Sequence, residues 1–350
     1  MMLRKTFGIM LLTALLAPLQ AQRNEARHLS SFELKGPVRS LRESIYLSYH
    51  FKVDGMRYRE AEKSQQTGFN EWRFDSAGCL TFCRVFRQQP FQDQTDSFTF
   101  DAQHRMTAHS WWMGGRMAGM TEHKYNLIGQ LVSVRQYDDT GALFCETAYR
   151  YRGGLLSEER TFSRAYVPIS EIHYTYDSLK RPVREECPWN PYRYVVPYVK
   201  EYSYDAAGNL ASIRYGEKEE KKGWTYRRTS DAAGRILSES TYNTADSLLK
   251  NRNFKYDFRG RLVGEHSLDG LLRQEISYSY RSNRLNTIRN RYGDVDFRTF
   301  FLKYDEWGNW IEKVEYDGIN LQITTREITY GDQPLNMKKT APSRQSPAQR

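Results

Sequence analysis

The chain has 350 residues and a formal net charge of +10, a length that suits two ordinary domains or one elongated array. The charge invites a nucleic-acid reading, but Arg4 and Lys5 hold two of those charges and Lys338, Lys339, Arg344 and Arg350 hold four more, leaving about +4 on the body with both signs interspersed. A phosphate-tracking groove needs clustered positive charge, so a nucleic-acid partner is not expected.

At the N-terminus, Arg4 and Lys5 precede an apolar run from Phe7 to Leu16, and Pro18-Leu19-Gln20-Ala21 then offers a small residue for cleavage. This is the pattern of a secretory signal peptide over residues 1–21, too short for a transmembrane helix. No cysteine lies near the cleavage point, so lipid attachment is not indicated. No later stretch is apolar enough to span a bilayer as a helix. The expected location is the periplasm, the cell surface or the medium.

From residue 29 to 332 one pattern recurs. Anchor positions fall at Phe74, Phe100, Tyr125, Tyr151, Tyr176, Tyr204, Ser230, Tyr256, Tyr280, Tyr304 and Tyr330, at intervals of 24 to 28 residues. Ten of the eleven are aromatic and seven are followed by Asp, a grid that chance does not produce. Two residues before the anchor lies another apolar side chain in most copies, as in Ile276-Ser277-Tyr278-Ser279-Tyr280. That alternation is the mark of a strand with one covered face, and aromatic residues suit such a pleated surface.

After the anchor comes a turn. In Tyr204-Asp205-Ala206-Ala207-Gly208-Asn209-Leu210, Asp205 is placed to accept a backbone hydrogen bond two residues on, and Gly208 to take positive φ. Leu210 then begins the return strand. Tyr256, Asp257, Gly260 and Leu262 repeat the motif, as do Tyr304, Asp305, Gly308 and Trp310. The Asp is read as structural, not catalytic. A second reversal falls midway between anchors, at Gly114-Gly115, Asp138–Gly141, Asp269-Gly270 and Tyr316–Gly318. Each repeat of about 25 residues is therefore a two-stranded hairpin, and the whole an all-β meander.

The run Tyr-Asp-x-x-Gly-Asn/Arg-Leu at Tyr204–Leu210, Tyr256–Leu262 and Tyr304–Trp310 resembles the YD repeats of the Rhs family, with Phe32–Val38 as a degenerate opening copy. The resemblance implies a scaffold fold. These copies are longer than the usual one, Tyr151–Gly154 and Tyr280–Asn283 lack the Asp, and Ser230 lacks the aromatic. Large members carry a toxic C-terminal domain; residues 333–350, rich in Lys, Pro, Ser and Gln, read instead as a disordered basic tail.

About twenty-two strands at about 4.8 Å each make a sheet about 100 Å long, whose twist carries it through more than a full turn. The expectation is a long coiled antiparallel ribbon with an aromatic concave face, which need not close.

No metal site, cofactor or catalytic set is expected. Cys79 and Cys83 lie too far apart on one strand to bridge, a bridge from Cys145 to another cysteine is an open alternative, and the seven histidines form no ligand motif. Candidate binding residues are aromatic: Trp111 and Trp112 before the Gly114-Gly115 reversal, Trp224 after a charged tip at Glu217–Lys222, and Trp189, Tyr192 and Tyr194 in the Pro-rich insertion between Tyr176 and Tyr204. Irregular insertions in repeat arrays often form the binding face. The expected role is a non-enzymatic scaffold or interaction module of the bacterial cell envelope, with an envelope protein as partner. The alternative is a carbohydrate-binding protein that stacks glycan rings on these aromatics.

Overall fold

A computed structural model describes residues 28–32, 34–48, 51–54, 57–88, 92–188, 196–217 and 222–331. The expected signal peptide (1–21), the expected tail (333–350), Trp189, Tyr192, Tyr194 and residues 218–221 lie outside the described residues.

A short 3-10 turn (Leu29–Phe32) leads to β1 (Val38–Ser48), followed by a small separate hairpin of β2 (Phe51–Asp54) and β3 (Arg57–Ala61). The repeats then begin with β4 (Gln65–Phe74), β5 (Leu80–Arg87), β6 (Gln92–Phe100), β7 (Met106–Met113), β8 (Arg116–Tyr125) and β9 (Leu131–Tyr137). They continue as β10 (Leu143–Arg152), β11 (Leu155–Ser163), β12 (Pro168–Tyr176), β13 (Pro182–Cys187), β14 (Tyr198–Tyr204) and β15 (Leu210–Glu217). Next come β16 (Gly223–Ser230), β17 (Ile236–Asn243), β18 (Leu248–Tyr256), β19 (Leu262–Asp269) and β20 (Leu272–Arg281). The last are β21 (Arg284–Tyr292), β22 (Val295–Tyr304), β23 (Trp310–Tyr316) and β24 (Leu321–Tyr330). No α-helix occurs among the described residues.

Apart from β2 and β3, these strands form a single antiparallel sheet of 22, each paired to its neighbour in sequence. The anchors end alternate strands, as the alternation requires. The sheet does not remain an open ribbon. β1 pairs on one edge with β24, Leu41 opposite Ile328, and on the other with β4, Leu41 opposite Trp72. One strand from the start of the chain thus joins both ends of the array and closes it into a barrel. At about 4.8 Å per strand the circumference is at least about 105 Å. Closure removes both free edges, the hazard of a long sheet.

Each anchor turn also carries a β-bulge. Tyr204 pairs with Leu210 while Ser203 pairs with Ser212, and Tyr256 with Leu262 while Lys255 pairs with Gly264. The extra residue sharpens the local twist. Apolar packing is distributed along the sheet. One cluster joins Leu34, Val38 and Leu41 to Phe74, Leu80, Phe98 and Met106 at the closure. Others gather Leu131, Tyr149, Leu156 and Tyr174, and Leu210, Ile213 and Tyr226. A fourth joins Val314, Leu321 and Ile323 to Tyr46. Each links neighbouring strands only, as in arrays whose units lean on the next unit.

Candidate functional site

The row of anchor turns along one rim holds most of the recurring polar chemistry. In the turn after Tyr204, the Asp205 N–H donates to Asn209 O at 2.8 Å and the Gly208 N–H to Asp205 O at 3.0 Å. The Asp205 carboxylate accepts the Asn209 N–H at 2.8 Å and the Asn209 side-chain amide at 3.1 Å. Gly208, Gly260 and Gly308 have φ of +87°, +76° and +84°, the left-handed region that glycine enters without strain. Asp257 and Asp305 accept the corresponding amides of Arg261 and Asn309. In each case the carboxylate bonds backbone of its own turn.

The residue after that glycine position, which His104 and Lys180 fill in two turns, has a role that was not read from the sequence. Where it is Arg, its Nε–H donates to the Asp of its own turn: Arg105 to Asp101, Arg181 to Asp177, Arg235 to Asp231 and Arg261 to Asp257, at 2.6–2.8 Å. The same guanidinium then covers the anchor ring of the next repeat. Arg105 lies 4.6 Å from the Tyr125 centroid, Arg181 4.2 Å from Tyr204, Arg235 5.0 Å from Tyr256 and Arg261 4.3 Å from Tyr280. Each such contact contributes about 0.5–1 kcal/mol. The anchor hydroxyl completes the link by donating to a backbone carbonyl one repeat earlier: Tyr125 to Met106, Tyr151 to Leu131, Tyr176 to Leu156, Tyr204 to Pro182, Tyr256 to Ile236, Tyr280 to Leu262 and Tyr304 to Leu285. Asp, Arg and Tyr therefore form a ladder running from repeat to repeat. Its sequence signal was the Asn/Arg position of the motif, but its use depends on which turns are neighbours in space.

The two copies with Arg in place of the Asp, after Tyr151 and Tyr280, turn differently. Gly153 and Gly154 have φ of +58° and +80°, and Ser282 and Asn283 +48° and +66°, the two-residue hairpin geometry with both centres left-handed. They are replacements of one turn type by another, and their anchors keep the hydroxyl bond.

Further along the strands, carboxylates are held by phenols. Glu185 accepts from Tyr198 at 2.6 Å, Lys200 at 2.7 Å and Tyr202 at 2.9 Å. Burial, followed by the Glu185 charge, raises the pKa of both phenols far above the ordinary tyrosine value. Glu265, 5% exposed, accepts from Tyr278 and Arg252. Buried Asp96 accepts from His109 at 2.8 Å and Gln94 at 3.1 Å, with the Cys83 thiol at 3.8 Å. These groups are satisfied by one another, which is what a buried polar network requires.

The candidate binding aromatics are placed on the sheet. Trp111 and Trp112 are both half-buried on β7. Trp111 lies against the backbone of Gly119, where an added Cβ would come within 2.3 Å of the indole, and its ring is 5.2 Å from that of His109. Trp224 stacks on Tyr215 at 5.4 Å and packs against the Leu210 cluster. The structure does not bring Trp111 and Trp112 together with Trp224, which stands several strands away along the sheet.

No disulfide joins the four cysteines; the Cys145 thiol faces Gln136 Oε1 at 3.7 Å instead. Two groups of potential cation ligands occur among the described residues. In the first, Glu158, Glu171 and His173, the Arg160 guanidinium already pairs with both carboxylates. The second, Asp75, Cys79 and His104, joins two adjacent anchor turns. Cys79 is buried, and burial together with the Asp75 charge pushes its thiol pKa up.

The fold and this rim define a class: an all-β repeat protein whose hairpins close into one ring. No family model matches the chain. It is 20% identical to human Teneurin-4 over 272 residues, covering 73% of this chain and 9% of that protein. Among solved structures it is similar to TcdB2-TccC3 without its hypervariable C-terminal region, at 13% identity and a TM-score of 0.37, covering 81% of this chain and 18% of that one. It is also similar to a porin-like protein from Bacteroides uniformis, at 8% identity and a TM-score of 0.30, covering 85% of this chain and 99% of that one. The chain thus spans less than a fifth of Teneurin-4 and of TcdB2-TccC3.

Proposed function

We propose that this protein is an exported, non-enzymatic scaffold or protein-interaction module of the bacterial cell envelope. The observation that carries the reading is the ladder. The recurrent carboxylates, guanidinia and phenols are bonded to one another from repeat to repeat, so they hold a shape instead of awaiting a substrate. Export rests on the N-terminal charge and apolar pattern.

A ring of 22 strands also raises the question of lipid. Tyr256, Phe254, Arg252 and Lys250 alternate on one face of β18, and Lys255, Asn253 and Asn251 on the other. A Lys or Arg facing the bilayer midplane costs about 2–4 kcal/mol, and here both faces carry such residues. That favours a water-soluble ring. The half-covered rings of Trp111 and Trp224 favour the scaffold reading over the glycan platform, and Trp189 with Tyr192 and Tyr194 is the contact surface assigned to it.

Cell fractionation with N-terminal sequencing is expected to find the chain beginning after Ala21 in an envelope or external fraction. A photo-crosslinker at Trp189 or Tyr192 is expected to capture one defined envelope protein, and a glycan array to stay blank. Glycan binding lost on replacing Trp111 and Trp112 would establish the carbohydrate reading instead.

A further inference from the structure

Neighbouring anchor turns touch in a fixed way. The side chain five residues after one anchor lies against the residue four after the next. Built Cβ positions show it: Gly129 meets Arg105 Nη1 at 3.2 Å, Gly208 meets Arg181 Nη1 at 3.5 Å, Gly234 meets Asn209 Oδ1 at 3.7 Å and Gly260 meets Arg235 Nη1 at 2.9 Å. In the first pair of turns, both positions hold different chemistry. Cys79 stands where the other Asp or Asn turns put Arg, Asn or Gln, and His104 stands where they put glycine, or lysine in the one case of Lys180.

His104 keeps the left-handed backbone of that position, φ +58°, although a side chain is disfavoured there. Asp75 spends Oδ1 on the amides of Ala77 and Cys79, both at 2.9 Å. Its Oδ2, the oxygen that Asp101, Asp177, Asp231 and Asp257 offer to an arginine, has a thiol as its position-five neighbour. One ligand atom each from Asp75, Cys79 and His104 lies within 4.8 Å of the others.

We propose that Asp75, Cys79 and His104 form a binding site for one divalent cation of the zinc type. Sulfur, imidazole nitrogen and carboxylate oxygen are the donors such an ion takes, and three protein ligands leave a tetrahedral fourth position for water. Bond lengths of about 2.0–2.3 Å require the donors to draw in by roughly 1 Å, and the exposed His104 side chain is free to supply that movement. A cation here ties the first two anchor turns together in place of the arginine that the first of them lacks.

The test uses the purified, reduced protein and cobalt(II) as the spectroscopic probe, followed by zinc. A single equivalent of cobalt is expected to give the near-ultraviolet thiolate-to-metal band, zinc to displace it, and stoichiometric zinc to raise Tm. Cys79→Ser should abolish the band, and Cys187→Ser should leave it unchanged. His104→Gly separates binding from folding. Glycine suits the backbone, so the metal-free variant should melt no lower than the parent. Loss of a direct ligand should nonetheless weaken binding by more than the roughly 10- to 100-fold that loss of an outer partner causes. No band in the parent, a band that survives Cys79→Ser, or parent-level affinity in His104→Gly would overturn the site.

Discussion

Tyr204 is fixed at both ends of its side chain: Arg181 covers the ring at 4.2 Å, and the hydroxyl donates to Pro182 O at 2.8 Å. The two contributions can be separated. Tyr204→Phe keeps the ring and removes one hydrogen bond, and is expected to cost about 1 kcal/mol. Tyr204→Ala also empties a half-buried site against the Leu210 cluster, and should cost about 3 kcal/mol. Urea denaturation with a constant slope checks the order, and equal losses would mean that the ring contributes little. Ser230 makes the converse case. It occupies an anchor position, pairs with Ile236 as Tyr256 pairs with Leu262, and leaves its hydroxyl buried without a partner. Ser230→Tyr restores the repeat's own residue and offers its phenol to the Leu210 carbonyl. A rise in Tm is expected, and a fall would show that the site has closed around serine.

The turn is the element in which sequence and structure correspond most closely, because its chemistry is local. Asp205, Gly208 and Leu210 act as their residue types dictate, and so do their counterparts after Tyr256 and Tyr304. What needed neighbours in space was not legible: the arginine ladder, the meeting of Cys79 with His104, and the part played by β1. Trp111 illustrates the limit, since only the position of Gly119 on the adjoining strand shows that the indole lies against backbone. Local rules also yield a backbone prediction. Lys180 sits at the glycine position with φ +62°, so Lys180→Gly should stabilise the turn by up to about 1 kcal/mol. Gly208→Ala should destabilise by about the same amount or slightly more. The turns also set an acid limit. The Arg181 and Arg235 amides, and after them the guanidinia, hold Asp177 and Asp231 below the usual carboxylate range. The unfolded chain therefore binds these protons more readily. The turns' contribution is fully present above the unfolded value of about 4 and is lost as pH falls through it and on through the lower folded values. Tm should be flat from about pH 7 to 5 and drop below about pH 4, and Asp177→Asn with Asp231→Asn should make that drop shallower.

At the scale of the whole molecule, nearly every contact is between consecutive hairpins, and the exception is the closure. β1 must meet β24 from almost the opposite end of the chain. The loop entropy of that meeting grows only slowly with length, so a few well-made contacts can hold it. Those contacts are concentrated. Leu41 is 0% exposed between Trp72 and Ile328. Glu43 accepts from Asn70 at 3.0 Å on one side and Arg326 at 2.9 Å on the other. Asn309, 3% exposed, bonds both the N–H and the carbonyl of Lys35. Leu41→Ala should therefore cost about 3–5 kcal/mol, the range for a buried leucine that cannot be replaced by collapse. The loss should appear at two places distant in sequence and adjacent in the ring. Amide hydrogen exchange read by mass spectrometry is expected to show β4 and β24 losing protection together, while β14 to β16, on another part of the ring, exchange as in the parent. Opening confined to one seam would mean that the other holds without β1's apolar contact. Uniform loss around the ring would mean that the hairpins cannot stand as an open array, and that closure is a condition of folding rather than its last step.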